Sequence, residues 1–154
     1  MEPLLPRYFQ LTVGAGEGET RLLSFDSALQ SAGIANYNLI KVSSILPAFS
    51  TKKEKIDLPP GSLLPIAYAA FTSENPGERI SAAIGVGIPK DKSKVGIIME
   101  FSGMVSEEKA REKVFRMIIA AMNNRGIEID DIEILSISHI TEKIATVFGG
   151  CAIW

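Results

Sequence analysis

The spacing of apolar positions predicts a first helix over residues 22–32. Apolar side chains recur every three to four residues and share one helical face, and they are Leu22, Phe25, Leu29 and Ala32. Gly33 follows as a C-terminal stop. Asp26 lies at the edge of that face, where spacing alone favours a solvated carboxylate over a ligand-binding one.

A second helix is predicted over residues 106–125. Ser106 is a good N-cap, two glutamates follow it in the first turn, and Gly126 comes directly after the last turn. The apolar stripe that would cover a sheet consists of Ala110, Val114, Met117, Ile118, Ala121 and Met122.

Apolar runs bounded by turn residues predict most of the strands, at 8–13, 63–72, 80–88, 95–101, 127–137 and 141–153. Two of these runs are rich in Ala and Gly, which indicates close packing against another layer or subunit. Two helices with six to seven strands predict an α/β sandwich of one domain, in which the helices cover a mostly antiparallel sheet.

Residues 38–47, NLIKVSSILP, predict a further strand that is buried and carries the serine pair Ser43–Ser44. Asn38 would share the face of Ser44 and point inward, where its amide needs a partner. Buried hydroxyls also need partners or a chemical role, since an unsatisfied one costs about 1–3 kcal/mol. Residue type alone favours hydroxyls that bond to neighbouring strands.

The serine pair also has a chemical interpretation. The hydroxyl of Ser44 lies close to the carbonyl carbon of Ser43, so it could attack that carbonyl and convert the amide to an ester. Elimination from the ester, followed by loss of ammonia, would leave a pyruvoyl group at position 44. The barrier falls where the fold strains the backbone or stabilises the oxyanion.

Three glycines at 14, 16 and 18 are predicted to break the first strand. They do not match G-x-G-x-x-G, because position 19 is Glu, so a connector is favoured over a nucleotide-binding loop. A nucleotide- or ligand-binding module that uses this loop remains one alternative function. Residues 47–61, with three prolines, predict an irregular loop.

Composition excludes several classes of function. The chain has 154 residues, 46% of them hydrophobic and 22% charged, and its net charge of −2 gives no electrostatic case for nucleic acid or an anionic membrane. With one cysteine and one histidine, a Cys/His zinc site within one chain is excluded, and no metal is expected. Lacking an apolar run of about 20 residues or a secretory signal, the chain is expected to be cytoplasmic.

Three further residues carry side chains capable of chemistry. Glu100 ends an apolar run, so it is either a carboxylate facing water or a desolvated group with a raised pKa. His139 lies near the connection of the last two predicted strands and is expected to be structural or exposed. Cys151 is expected to be buried as a small apolar residue.

Five segments together closely resemble the pyruvoyl-dependent arginine decarboxylases. They are GEGET (16–20), FDSAL (25–29), AGIANYNLIKVSSILP (32–47), IPKDKS (88–93) and GIIMEF (96–101). The resemblance implies a four-layer αββα sandwich, a homotrimer, and active sites formed between neighbouring protomers. Residues 47–61 match the family pattern poorly, so substrate preference could differ.

The resemblance also implies a mechanism. Self-cleavage between Ser43 and Ser44 would give a β chain, 1–43, and an α chain, 44–154, that begins with a pyruvoyl group derived from Ser44. Arginine would form a Schiff base on that group and lose CO2, and agmatine would be released after Glu100 had donated a proton. Asp26 would bind the guanidinium and Asn38 would help to position the group at residue 44. Neither a metal nor pyridoxal phosphate is needed.

Two alternatives remain open beside this mechanism. One is the same chemistry on another amino acid, although the match at Asp26 favours a cationic substrate. The other is a non-catalytic trimeric family member that does not process itself.

Overall fold

The computed structural model describes residues 3–154. Its elements, in chain order, are β1 (Tyr8–Glu17), α1 (Arg21–Ser31), β2 (Asn38–Lys41), β3 (Ile45–Leu46), β4 (Thr51–Lys52), β5 (Leu63–Ser73), β6 (Arg79–Pro89), β7 (Gly96–Gly103), α2 (Glu107–Asn124), β8 (Ile129–Ile140) and β9 (Ala145–Ile153). One sheet has five strands in the order β2-β5-β9-β1-β4, and the other has four in the order β3-β7-β6-β8.

The two sheets face each other and each carries one helix on its outer side. Between the sheets lies a core that includes Leu11, Ile84, Ile98 and Cys151. A second cluster joins α1 to the five-stranded sheet, and a third joins α2 to the four-stranded sheet. Most strand pairs are antiparallel, with β1–β4 and β2–β5 parallel. The predicted αββα sandwich of one domain is therefore confirmed.

Both helices begin after a capping hydroxyl, which the sequence predicted for the second helix only. The Thr20 hydroxyl accepts a hydrogen bond from the Leu23 N–H in α1, and the Ser106 hydroxyl accepts one from the Lys109 N–H in α2. Glycines on β6 let α2 approach closely, because a Cβ at Gly85 would lie 2.8 Å from the Val114 side chain. The small residues of β6 thus serve packing within one protomer.

The predicted break of the first strand at Gly14 is wrong. β1 continues to Glu17 and pairs with β9 from Phe9 to Glu17. A Cβ at Gly14 would overlap the Ala28 carbonyl oxygen of α1, and one at Gly16 would lie 2.5 Å from the Ser27 side chain. These glycines let the helix backbone rest on the strand, so they do not form an open nucleotide-binding loop.

The single buried strand predicted over residues 38–47 is also wrong. The segment divides into β2, at the edge of the five-stranded sheet, and β3, at the edge of the four-stranded sheet. β2 pairs with β5 alone, and its residues are exposed or only partly buried. The irregular loop predicted after it contains one short strand, β4, which pairs with the start of β1.

Candidate active site

The Ser43–Ser44 bond lies where the chain crosses from one sheet to the other. On one side, the Val42 N–H donates to the Ile66 carbonyl of β5 at 3.0 Å. On the other side, the Ser44 carbonyl accepts a 2.8 Å hydrogen bond from the Ile98 N–H of β7. Ser43 is exposed and Ser44 is partly buried. The two serines therefore connect an edge strand of one sheet to an edge strand of the other. Each of these strands has its own backbone hydrogen bonds to its sheet.

Glu100 lies on the same strand as the residue that binds the Ser44 carbonyl. By the alternation of a strand it shares a face with Ile98, which packs in the core between the sheets. Two residues along a strand span about 7 Å, so the carboxyl-bearing residue and the serine junction are neighbours.

The carboxyl group of Glu100 is poorly solvated. Its Oε2 atom is buried and has no hydrogen-bond partner among the described residues. Burial raises the pKa of Glu100, and the positive charge of Lys41 opposes part of that rise. The nearby Cys151 thiol is buried, and its pKa is raised by burial and then by the charge of Glu100. Glu100 thus keeps a proton to higher pH than a solvated carboxyl does.

Lys41 places a positive charge beside the junction. It is the last residue of β2, and its Nζ lies 4.7 Å from the centroid of the Tyr68 ring on β5. Sequence analysis did not single out Lys41. The available signal was a basic residue three positions before Ser44 within an otherwise apolar run.

Asp26 and Asn38 lie in a different region of the protomer. The Asp26 carboxylate lines an open pocket of about 420 Å³ at the end of α1, whose other lining residues are Gln30, Gly33, Ala35, Asn36, Tyr37 and Pro60. Asn38 is exposed at the start of β2, and its Nδ2 donates to the Gly61 carbonyl at 2.9 Å. The prediction that Asn38 points inward is wrong, because an edge strand of this sheet leaves it at the surface.

The length of β2 separates these residues from the junction. Asn38 and Lys41 occupy the two ends of the strand, which places them about 10 Å apart. One protomer therefore brings Ser43, Ser44 and Glu100 together, and it holds Asp26 near the other end of β2.

His139 has a structural partner. Its Nε2 lies 2.6 Å from Oε2 of Glu17, and the same carboxylate accepts hydrogen bonds from the backbone N–H groups of Glu142 and Lys143. Burial pushes the pKa of Glu17 upward, but these hydrogen bonds outweigh it and the pKa is lowered overall. The contact ties the end of β1 to the β8–β9 turn. Cys151 is fully buried, as predicted.

Two further features of residues 3–154 concern membranes and metal ions. Neither helix in that range is long and apolar enough to cross a membrane. The same residues contain no group of three or more His, Cys, Asp or Glu side chains arranged to hold a metal ion.

Comparison with known proteins gives a consistent family. The family profile described as Pyruvoyl-dependent arginine decarboxylase (PvlArgDC) matches residues 8–153. The chain is 45% identical to the pyruvoyl-dependent arginine decarboxylase of Methanocaldococcus jannaschii, over 97% of this chain and 91% of that protein. It is 42% identical to the protein of the same name from Thermococcus kodakarensis, over 90% of this chain and 87% of that one.

The fold is also similar to that of a solved structure. A pyruvoyl-dependent histidine decarboxylase at pH 8 aligns with a TM-score of 0.50 and 18% sequence identity. The alignment covers 63% of this chain and 52% of the other. At this level of identity the likeness concerns the fold alone.

Proposed function

Because this chain belongs to the pyruvoyl-dependent arginine decarboxylase family, we propose that it converts L-arginine to agmatine and carbon dioxide. Membership confirms the family predicted from the motifs, together with its enzyme class and its dependence on a covalent pyruvoyl group. The observation that carries the proposal for this chain is the buried, unpartnered Oε2 of Glu100 on the strand that holds the Ser44 carbonyl.

The pyruvoyl group arises from the chain itself. The Ser44 hydroxyl attacks the Ser43 carbonyl carbon and its proton passes to the departing nitrogen, so an ester replaces the amide. Elimination removes the Cα proton of Ser44, breaks its Cβ–Oγ bond and releases the Ser43 carboxylate. Tautomerisation and hydrolysis by one water molecule then release ammonia. The products are chains 1–43 and 44–154.

The position of the junction supports this cleavage. β2 is bonded to β5 on one side of the scissile bond, and β3 is bonded to β7 on the other. Both new chain ends therefore keep their strand hydrogen bonds after cleavage, because neither pairing requires the Ser43–Ser44 peptide bond.

The residues around position 44 fit a pyruvoyl group. When present, such a group supplies an electron-accepting carbonyl that takes up the electron pair left by departing CO2. Burial disfavours the charged form of Glu100 and raises its pKa, so the carboxyl retains its proton to higher pH than a solvated one does. We assign it the role of general acid, which returns that proton to the α-carbon of the substrate.

Asp26 supplies charge for substrate recognition. Among residues 3–154 it is the only charged residue that lines its pocket. A carboxylate and a guanidinium form strong charge-assisted hydrogen bonds, so this pocket favours the side chain of arginine. Asn38, which braces the adjacent turn through Gly61, would help to shape the same side of the site.

We assign the complete site to two protomers of a trimer. In one protomer the pocket of Asp26 and the Ser44 junction lie at opposite ends of β2. The surface around β2 and the junction exposes apolar side chains beside the charged Lys41, since Ile40, Ile45 and Leu63 are 43%, 38% and 66% exposed. Exposed apolar clusters of this kind mark interfaces, and a neighbour seated there would bring its own pocket to the junction.

Mass spectrometry of the purified protein tests the cleavage, and agmatine release from arginine tests the activity. The expected masses are those of chains 1–43 and 44–154, the second carrying a keto group and no amino terminus. A single intact polypeptide after long incubation would instead identify a family member that does not process itself. Equal or faster turnover of lysine or aspartate would assign the same chemistry to another amino acid.

Mixed trimers test the shared site. Asp26→Ala and Ser44→Ala subunits are each expected to be inactive when expressed alone. Coexpressed, they form interfaces in which an intact Asp26 meets an intact Ser44, so activity well above the sum of the two single variants is expected. Absence of any such recovery in confirmed mixed trimers would place both residues in the same protomer.

A further inference from the structure

The pocket of Asp26 contains a second polar side chain from the same helix. Gln30 lies one turn after Asp26 on α1, and its Nε2 donates a 2.8 Å hydrogen bond to Oδ2 of that carboxylate. We propose that Gln30 is a positioning and specificity residue for the guanidinium, which it recognises together with Asp26. This inference rests on the proposed function of the pocket and adds a residue to it.

The hydrogen bond between Gln30 and Asp26 uses one of their three side-chain oxygens and leaves the other two available to a ligand. Oδ2 of Asp26 is occupied by the Gln30 amide, which fixes the plane of the carboxylate. Oδ1 of Asp26 and the side-chain oxygen of Gln30 accept no hydrogen bond within the described part of the chain. The pair thus presents two free oxygen acceptors side by side on one exposed helix face.

A guanidinium uses such a pair better than an ammonium does. It carries five N–H donors in a rigid plane, so one carboxylate leaves several donors without a partner. An amide oxygen at a fixed distance from the carboxylate satisfies a further donor of the same plane. An ammonium is a compact charge with rotatable donors, and a single carboxylate suffices for it. Gln30 therefore adds discrimination between the two cations.

The opposite wall of the pocket is already fixed. The Asn36 carbonyl accepts a 2.7 Å hydrogen bond from the Gly61 N–H, and the Tyr37 hydroxyl donates to the Leu58 carbonyl at 3.1 Å. This wall does not depend on Gln30 for its hydrogen bonds. Loss of the Gln30 amide should therefore weaken binding directly, without first disordering the pocket.

The test compares two cations on the assembled, processed protein. Agmatine carries a guanidinium and cadaverine carries an ammonium at a similar distance from its amine, and binding of each is measured by calorimetry. Gln30→Met keeps the length of the side chain and removes the amide. Agmatine affinity is expected to fall about tenfold, the size of one lost hydrogen bond to a charged group, whereas cadaverine affinity should change by less than about twofold on the same argument.

Gln10→Met on β1 is the matched control, because the Nε2 of Gln10 donates a hydrogen bond to the Glu54 carbonyl and not to Asp26. It should leave both affinities unchanged. In kinetics, Gln30→Met should raise KM for arginine and leave kcat within about twofold, since the amide is remote from the reacting carbon. A merely structural role would lower the melting temperature and weaken both ligands together.

The outcomes separate this inference from the proposed function. If wild-type protein prefers agmatine and Gln30→Met prefers it equally, the role of Gln30 is refuted while that of Asp26 stands. If the wild-type protein binds agmatine no better than cadaverine, both roles are refuted. If it prefers agmatine through Gln30 but does not release CO2 from arginine, the recognition role holds and the proposed activity fails.

Discussion

The backbone N–H of Ile98 donates a 2.8 Å hydrogen bond to the carbonyl of Ser44. This bond attaches the residue that would become the pyruvoyl group to the strand that bears Glu100. The distance between the future electrophile and its proton donor is thereby set by the backbone of β7 and not by a mobile loop. A site built on a strand in this way keeps its geometry when the neighbouring peptide bond is cut.

Replacement of Ser44 by alanine should leave the polypeptide whole. No hydroxyl remains at position 44 to attack the Ser43 carbonyl, so an intact chain is the only mass expected. Ser43→Ala is the matched control, because it retains the Ser44 hydroxyl and should still be cut. Normal cleavage of Ser44→Ala at this bond would refute the route.

Glu100→Gln should impair the decarboxylation step more than substrate binding. The amide cannot deliver a proton to the α-carbon, and removal of a general acid costs about 10²–10⁴-fold in rate. We expect kcat to fall within that range while KM stays within a few-fold, measured on protein whose cleavage has been verified by mass. Unchanged turnover by fully cleaved variant would remove Glu100 from the donor role.

The same substitution should stabilise the fold in a pH-dependent manner. Burial raises the pKa of Glu100 above its ordinary value of 4.5, so ionisation at neutral pH costs the folded state more than the unfolded chain. Glu100→Gln removes that cost. Its melting temperature should exceed that of the parent at neutral pH, and the difference should shrink as pH falls and vanish below about 4.5, where the carboxyl is neutral in both states.

This pH comparison is best made in the Ser44→Ala background, where both proteins remain uncut and differ only at Glu100. Equal melting temperatures at every pH would show that the carboxyl is solvated in the folded protein. A stabilising effect that persists below pH 4 would point to packing rather than charge.

Gly14→Ala should destabilise the protein strongly for its size. The added methyl group would overlap the Ala28 carbonyl oxygen and push α1 away from β1. Overpacking of this kind costs on the order of 1–3 kcal/mol, which thermal unfolding can measure. Gly103→Ala is the control, since the nearest atom to its Cβ would be 3.6 Å away in the Phe101 ring. Equal stability of the two variants would contradict the close approach of α1.

Prediction from sequence succeeded where the local pattern was enough. The apolar stripe and N-cap of the second helix placed α2 within one or two residues of its observed bounds, because a helix is fixed by side chains three and four residues apart. It failed at residues 38–47, where a largely apolar run contains a change from one sheet to the other. An edge strand and a buried strand can have the same composition, and only the long-range partners of β2 and β3 distinguish them.

In the candidate site, too, local motifs could be recognised from the sequence and long-range positions could not. The motifs identified the serine pair, Glu100, Asp26 and Asn38, but they did not indicate that Asp26 and Asn38 lie away from the junction within a protomer. Lys41 and Gln30 were missed because a single basic or amide residue has no signature until its neighbours are known. The glycines of β1 were wrongly predicted to break the strand, since their contact with α1 joins segments that are separate in the chain.

The sequence by itself determined the helices, most strands, the family and the chemical groups, because each depends on residue type and short-range order. Only the tertiary structure decided that the serine pair joins the edges of two sheets and that the Glu100 carboxyl is buried without a partner. The physical reason is that the solvation of a side chain, and the sheet a strand joins, are set by backbone hydrogen bonds between residues far apart in the chain.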